Sequence, residues 1–157
     1  MENPLLELQE YENLQEALKK AKGPVQATGT LDSQKVHLMH WLGKDGGFPW
    51  KLVVTYDDQR AREIYDDFRS FTENVWLYPA KDLLFYSADI HGNLMTRQRI
   101  AVWRHLMEEK EGVVVTTLDG LMDHLLPLVF LKQQAVTVEN GQIMDLDEWK
   151  ERLTALG

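Results

Sequence analysis

The sequence predicts an α/β fold of three layers, in which a parallel sheet is covered by helices on both faces. Short apolar runs of strand type alternate with amphipathic helical stretches between residues 25 and 127. Such alternation favours parallel strands joined by right-handed crossovers. The run at residues 51–56 is apolar almost throughout, which is typical of a strand that is buried on both faces.

The first predicted elements precede the main run of strands. An apolar stripe at three- and four-residue spacing predicts a first helix, which Gly23 and Pro24 end. The stripe consists of Tyr11, Leu14, Leu18 and Ala21. Residues 25–28 are predicted to form a short strand. A second helix, capped by Asp32 or Ser33, runs to about residue 42 and is apolar almost all round, which indicates that it packs on the sheet.

The remaining strands and helices of the predicted sheet alternate regularly. Strands are predicted at residues 51–56, 75–78 and 113–116. Helices are predicted at residues 57–71 and 94–110, each with an apolar stripe on one side. Thr116 and Asp119 are then predicted to form a capping box for a helix that ends near Leu126 and Pro127.

The pattern changes after Pro127. Asn140 and Gly141 lie between two strand-like runs, and an Asn-Gly pair in that position predicts a β-hairpin. The two runs are residues 135–139 and 142–146. A last amphipathic helix follows, giving a ββα tail. About thirty residues can hardly bury a core of their own, so we expect an α/β domain over residues 1–127 and the truncated start of a second domain over residues 128–157.

Composition limits the classes of function. The formal net charge of −8 argues against a stand-alone nucleic-acid binder, because phosphate contacts need a surplus of Lys and Arg on one face. The one basic concentration is Arg97, Arg99 and Arg104, for which we expect a solvated helix face. Cysteine is absent, which excludes disulfides and thiolate zinc sites. Neither a bilayer-spanning apolar run nor a signal-peptide pattern occurs, so we expect a cytoplasmic protein without a membrane partner.

The segment between the first predicted strand and the second helix has the spacing of a phosphate-binding loop. It comprises Gly29, Thr30, Leu31, Asp32, Ser33, Gln34 and Lys35. A working loop has a second glycine where Gln34 stands and a Mg²⁺-binding hydroxyl where Val36 stands. Asp32 adds a carboxylate that repels phosphates. The sequence therefore predicts a degenerate phosphate loop that binds no nucleotide, with no catalytic residue and no cofactor.

An acidic pair is a weaker candidate for chemistry. Asp57 and Asp58 follow an apolar strand, as in phosphorylatable receiver domains, which hold Mg²⁺ with carboxylates. A receiver would need a further Asp at the end of a later strand, and Tyr78 and Pro79 offer none there. Capping of the following helix accounts for both acids, and we favour that interpretation.

The histidines give no clear site either. His37 and His40 are three residues apart on a helix and could share a metal, but no third ligand is evident. Ser87, Asp89 and His91 have the residue types of a catalytic triad, yet no nucleophile elbow surrounds Ser87. We therefore predict neither a metal centre nor a hydrolase site.

One ordered set of residues carries a family resemblance over nearly the whole chain. The set is Gly29 to Lys35, Leu52 to Thr55, Ala61, Tyr65, Phe68, Tyr78 to Ala80, Tyr86, Arg99, Ile100, Trp103, Leu106, Gly112 to Thr116, Leu125 to Pro127, and the tail from Asp145 to Gly157. In this order it resembles the N-terminal UvrB-like region of the bacterial transcription-repair coupling factor family. The resemblance implies a RecA-like, phosphate-loop type of fold like the first domain of UvrB, without the nucleotide, followed by the opening of a UvrA-binding type of domain.

The resemblance also implies that the chain is part of a larger protein. Full-length members are ATP-driven DNA translocases that remove stalled RNA polymerase and recruit the excision-repair protein UvrA. Their UvrB-like region is a non-catalytic arm that recruits UvrA and restrains the translocase. The UvrA contacts are expected mostly beyond Gly157, and other domains bind RNA polymerase and DNA. Two alternatives stay open: a divergent phosphate-loop ATPase or kinase, and a receiver-like signalling domain.

Overall fold

The computed structural model of the chain describes residues 2–80, 89–122, 127–134, 140–141 and 145–156. The chain divides into two compact units, Met1–Asp123 and His124–Gly157. Among the described residues, no helix is both long enough and apolar enough to cross a membrane.

The first unit contains most of the helices and strands that the sequence predicts around the sheet. A short 3₁₀ helix over Pro4–Glu7 comes first. The helices are α1 (Gln9–Lys20), α2 (Asp32–Asp45), α3 (Asp58–Arg69), α4 (Asp89–Glu108) and α5 (Leu118–Leu121). The strands are β1 (Trp50–Thr55), β2 (Val75–Tyr78) and β3 (Gly112–Thr117). The strands predicted at residues 51–56, 75–78 and 113–116 are thus confirmed, and α4 begins earlier than predicted.

The sheet is parallel, and β3 lies between β1 and β2. Val115 of β3 pairs with Val53 on one side and with Leu77 on the other. The chain therefore passes outward from β1 to β2 and returns to β3. With crossovers of one hand, this path places α3 and α4 on opposite faces of the sheet. The predicted three-layer α/β arrangement with a parallel sheet is confirmed.

The larger core lies between one face of the sheet and helices α2 and α3. Its buried members are Val36, Val53, Ala61, Ile64, Phe68, Val75, Val113 and Val115. Phe68 and Val115 are both fully buried, at 0% exposure. Ala61, Ile64 and Phe68 recur at helical spacing, so one face of α3 enters this core. Burial of a side chain such as Phe68 contributes about 1.5–3 kcal/mol.

The second core lies on the opposite face, beneath α4. Its buried members are Tyr78, Val102 and Val114, with Trp50, Trp76, Trp103 and Leu106 packed around them. The cover is incomplete over β1, where Leu52 is 58% exposed and Val54 is 43% exposed. The expectation that this strand is buried on both faces is therefore wrong. Among the described strands β1 lies at the edge of the sheet, and α4 packs mainly against β2.

The chain before α2 also differs from the prediction. Residues 25–28 form no strand, although all four are described. Their composition suits a strand, but strand propensity acts only where a neighbouring strand provides a partner. Leu31 is the N-cap of α2, so neither Asp32 nor Ser33 caps it, and the helix continues to Asp45.

The capping threonine of α5 is displaced by one residue from the prediction. Thr117, not Thr116, is the N-cap, and its Oγ1 accepts a hydrogen bond from the Gly120 N–H at 3.2 Å. Thr116 stays in β3 and donates from Oγ1 to the carbonyl oxygen of Tyr78 at 2.8 Å. Thr116 also lies against α5, because a Cβ atom added at Gly120 would collide with its Oγ1. Thr117 caps the helix because it is the residue immediately before Leu118, the first residue of α5.

Arg99 contradicts the expected solvated basic face. Its side chain is buried, and Nη1 donates to the carbonyl oxygen of Pro79 at 2.9 Å. The guanidinium carbon lies 4.4 Å from the ring centroid of Tyr78. Arg97 is exposed, and Arg104 takes part in an exposed ion pair, as expected. Arg99 instead ties α4 to the carboxyl end of β2.

Asp45 fastens the N-terminal segment to the end of α2. Its Oδ2 accepts hydrogen bonds from Asn3 Nδ2 at 2.6 Å, from the Tyr11 hydroxyl at 2.7 Å and from Gln15 Nε2 at 3.2 Å. A carboxylate at a helix C-terminus is unfavourable in the field of the helix dipole, and these three donors offset that cost. Burial and the hydrogen bond to Asp45 raise the pKa of Tyr11 to about 12.

The second unit contains α6 (Leu128–Gln134) and α7 (Leu146–Leu156). The strand-like runs of the predicted hairpin lie largely outside the described residues. Between them, Gly141 has a φ of +88°. Asp145 Oδ1 accepts from the Asp147 N–H at 2.9 Å, so Asp145 supports the first turn of α7. The sequence does not predict α6, because it assigns Pro127 only to the end of the preceding helix, whereas proline also suits a helix start.

Candidate functional site

The degenerate phosphate loop connects an irregular segment to the first turn of α2. Gly29 has a φ of +82°, a conformation in which any other residue would be strained. Ser33 is exposed on the helix start. Val36 is 1% exposed and belongs to the core beneath α2. The position at which a working loop carries its Mg²⁺-binding hydroxyl therefore faces the core.

Gln34 closes the loop onto itself. Its Oε1 accepts a hydrogen bond from the backbone N–H of Leu31 at 3.1 Å. The backbone N–H groups of Gln34 and Lys35 donate to the Leu31 carbonyl oxygen at 3.0 and 3.1 Å. These backbone donors are thus used within the loop, whereas a phosphate cradle leaves its N–H groups free for phosphate oxygens.

Four charged side chains from α2 and α3 meet beside the loop, and we call them the ion network. They are Asp32, Lys35, Arg60 and Glu63. Asp32 Oδ1 lies 2.8 Å from Lys35 Nζ and 3.3 Å from Arg60 Nη2. Arg60 Nη1 in turn lies 2.8 Å from Glu63 Oε2. Each cation of the network therefore already has a carboxylate partner.

The ion network shifts the titration of its members. The hydrogen bond from Lys35, together with the charge of Arg60, holds the pKa of Asp32 below its ordinary value. The hydrogen bond from Arg60 likewise lowers the pKa of Glu63, and the carboxylates raise the pKa of Arg60. Both carboxylates therefore stay ionised, and keep their cationic partners, to a lower pH than isolated side chains would.

The structure brings together only some of the residues predicted for this site. Asp32 and Lys35 are in direct contact, whereas Gly29 and Ser33 border them without joining the ion network. Arg60 was missed by the sequence analysis. Its three-residue spacing to Glu63 is a local signal for an ion pair, but its contact with Asp32 joins two helices and has no signature in one sequence.

The acidic pair after β1 has a structural role. Asp57 is the N-cap of α3, and its Oδ1 accepts from the Arg60 N–H at 2.7 Å. Asp58 lies in the first turn of the same helix. The capping interpretation is thus confirmed for Asp57, and the helix dipole favours an acid at the position of Asp58.

His37 and His40 lie on α2 but are committed to ring contacts. Nε2 of His37 accepts a hydrogen bond from the Trp41 indole at 2.8 Å. Both imidazoles stack on Phe71, with centroid distances of 5.5 and 4.9 Å. Among the described residues, no three His, Asp or Glu side chains are grouped to hold a metal ion.

The three residues with the residue types of a catalytic triad lie wholly or partly outside the described part of the chain. Ser87 lies outside the described residues. Asp89 and His91 belong to the first turn of α4, but their side chains also lie outside the described part.

Curated proteins similar to this chain are transcription-repair coupling factors. Those of Staphylococcus haemolyticus and Staphylococcus aureus are 23% identical over 108 residues, which is 68% of this chain and 9% of each relative. The factor of Staphylococcus epidermidis matches to the same extent. The chain thus spans about a tenth of the length of these relatives. No protein-family model matches it, and no solved structure matches it significantly. The resemblance to the coupling factor family is confirmed.

Proposed function

We propose that this chain acts in transcription-coupled DNA repair, as a non-catalytic module of a coupling factor. The observation that carries the proposal is the similarity to curated transcription-repair coupling factors over 68% of the chain. The parallel three-layer unit supports a UvrB-like first domain over residues 1–127. Residues 128–157 would then open a second domain of the UvrA-binding type.

The loop geometry supports the absence of nucleotide chemistry. Gln34 occupies a backbone donor, Asp32 holds the Lys35 ammonium, and Val36 is buried in the core. Each of these removes one element that phosphoryl transfer requires, namely the cradle, the phosphate-binding cation and the metal ligand. The loop is therefore proposed to keep the shape of the helix entry without a ligand.

The proposed partner is UvrA, bound through the second domain and mostly through residues beyond Gly157. RNA polymerase and DNA would be bound by other parts of the coupling factor, in the cytoplasm. The net charge of −8 supports a protein-binding or restraining role over a DNA grip, because a DNA phosphate backbone repels such a surface.

A titration of UvrA tests the recruiting role. Two proteins are compared by calorimetry: this chain, and a version extended through a complete second domain. We expect micromolar or tighter binding by the extended version and weak or no binding by the chain alone. If UvrA binds neither protein, the recruiting role is wrong.

A Mg-ATP titration tests the non-catalytic assignment separately. We expect no saturable binding by the chain. If ATP binds and the affinity is lost in Lys35→Ala, the assignment is overturned in favour of a divergent phosphate-loop enzyme. Lys20→Ala is the matched control, because Lys20 forms an exposed ion pair of similar length, 2.7 Å, on a different helix.

A further inference from the structure

A cleft lies at the opposite end of α2 from the degenerate loop. Helix α2 has 14 residues and is therefore about 20 Å long, at 1.5 Å per residue. The cleft has a volume of about 610 Å³ and lies where the strands begin, between the end of α2 and the end of α3. That volume is within the range of small-molecule sites.

Two lysines give the cleft a positive charge. Lys44 and Lys51 both line it, and among the described residues neither has a carboxylate within ion-pair distance. Glu111 also lines the cleft but pairs with neither lysine. In an acidic chain, two cations left unpaired beside one cavity indicate a site for an anion.

The position of Lys51 depends on a glycine in the last turns of α2. Gly43 is buried, and a Cβ atom there would collide with Cε of Lys51. The missing side chain lets the lysine stem cross the helix and bring its ammonium to the cleft. Lys44 is held differently, with Nζ lying 4.8 Å from the ring centroid of Trp41.

The charges of both lysines affect the pKa of His40, which also lines the cleft. Burial lowers the pKa of His40, and the charges of Lys44 and Lys51 lower it further. The imidazole is therefore predominantly neutral at neutral pH, so it can exchange a hydrogen bond with a ligand without adding charge. The side-chain hydroxyl of Ser70 and the amide of Asn74 line the same cleft.

The carbonyl groups at the end of α2 are already used within the backbone. A helix C-terminus carries about half a negative charge on its last carbonyl groups. Here the carbonyl oxygens of Leu42, Gly43 and Lys44 accept hydrogen bonds from the N–H groups that follow the helix, at 2.9, 2.9 and 3.2 Å. Among the residues that line the cleft, Lys44 and Lys51 are cationic and Glu111 is anionic, so the lining itself is positive, while the carboxylate of Asp45 at the helix end acts on His40 in the opposite sense.

Aromatic surface adjoins the charges. Phe48 lines the cleft with 54% of its surface exposed. Phe71 also lines it and stacks on His40. A planar ring could pack against Phe48 while its anionic group approaches the two lysines.

We propose that this cleft binds a small aromatic anion, with its phosphate or carboxylate between Lys44 and Lys51 and its ring against Phe48. The site is separate from the degenerate loop, and the proposal does not depend on the role in repair. Phosphate and carboxylate share the chemistry that the lysines recognise, and the choice of probes distinguishes them.

Calorimetric titration with four probes tests the proposal: AMP, phenyl phosphate, benzoate and inorganic phosphate. We expect saturable binding of phenyl phosphate or AMP, or of benzoate if the natural anion is a carboxylate. Lys44→Met and Lys51→Met keep the apolar stems and should each weaken binding about tenfold, or about 1.4 kcal/mol. Lys35→Met, at the other end of α2, is the matched control and should leave the affinity unchanged.

Gly43→Ala provides a variant that does not weaken the helix. Alanine is the better helix former, yet its Cβ should displace Lys51 and so weaken binding. Absence of binding by all four probes overturns the proposal. So does binding that Lys44→Met and Lys51→Met leave unchanged. Equal affinity for inorganic phosphate and phenyl phosphate overturns the contact with Phe48.

Discussion

Replacing Tyr11 by phenylalanine tests the attachment of the N-terminal segment to α2. The phenol is 3% exposed and donates to Asp45 at 2.7 Å. A hydrogen bond to a charged acceptor contributes about 1.5–3 kcal/mol. Asp45 keeps two other donors in the variant, so we expect a loss of about 1.5 kcal/mol at neutral pH, at the lower end of that range.

The contribution of Tyr11 to the free energy of unfolding should also depend on pH. Burial and the bond to Asp45 raise the pKa of Tyr11 from its ordinary value of 10.0 to about 12. The protonated phenol therefore stabilises the fold fully below pH 10. Between the two pKa values the unfolded phenol ionises while the folded one does not, so the free energy of unfolding falls as the pH rises. Linkage gives a loss of about 1.4 kcal/mol at about pH 11.

Urea unfolding of the natural protein and of Tyr11→Phe at about pH 8 and about pH 11 measures this change. The difference in unfolding free energy between the two proteins should nearly vanish at the higher pH, and lysine titration cancels in the comparison. Tyr56→Phe is the control, because Tyr56 is 78% exposed and should keep the full pH dependence of the natural protein. A difference between natural protein and Tyr11→Phe that is independent of pH would refute the reasoning.

Three further predictions address the core, the sheet edge and the loop. Phe68→Ala should cost about 3–5 kcal/mol in urea unfolding, because the fully buried ring leaves a cavity; a cost below about 1 kcal/mol would contradict its place in the core. Arg99→Met should cost about 1–3 kcal/mol in the same assay, because the Pro79 carbonyl loses a charged donor; unchanged stability would contradict that role. Lys35→Met should raise the pKa of Asp32 toward 3.8 in an NMR titration, and an unchanged pKa would argue against the ion network.

Much of the fold could be predicted because its signals are local. The helical spacing of Ala61, Ile64 and Phe68 predicts which face of α3 is buried, and that face enters the core. The prediction of a strand at residues 25–28 was wrong for the opposite reason. Its composition is local, but a strand exists only if a partner strand lies beside it, and the partner is a property of the whole fold.

The same distinction applies to the candidate sites. The degenerate loop was recognised from spacing within one segment. The contact of Arg60 with Asp32 joins two helices, and the anion cleft joins α2, β1 and the end of α3. Lys51 was predicted only as the first residue of a strand, since nothing in its neighbourhood indicates that Gly43 gives its side chain a path across a helix.

The residues that depart from the phosphate-loop pattern are the residues that the fold uses. Gln34 replaces a glycine and holds the Leu31 N–H at the start of α2. Val36 replaces a hydroxyl residue and is buried in the core. Asp32 would repel a phosphate and instead partners Lys35. Gly29 keeps its positive φ for the backbone turn alone. Restoring a single motif residue would therefore remove a structural contact without recreating the other two elements of a nucleotide site.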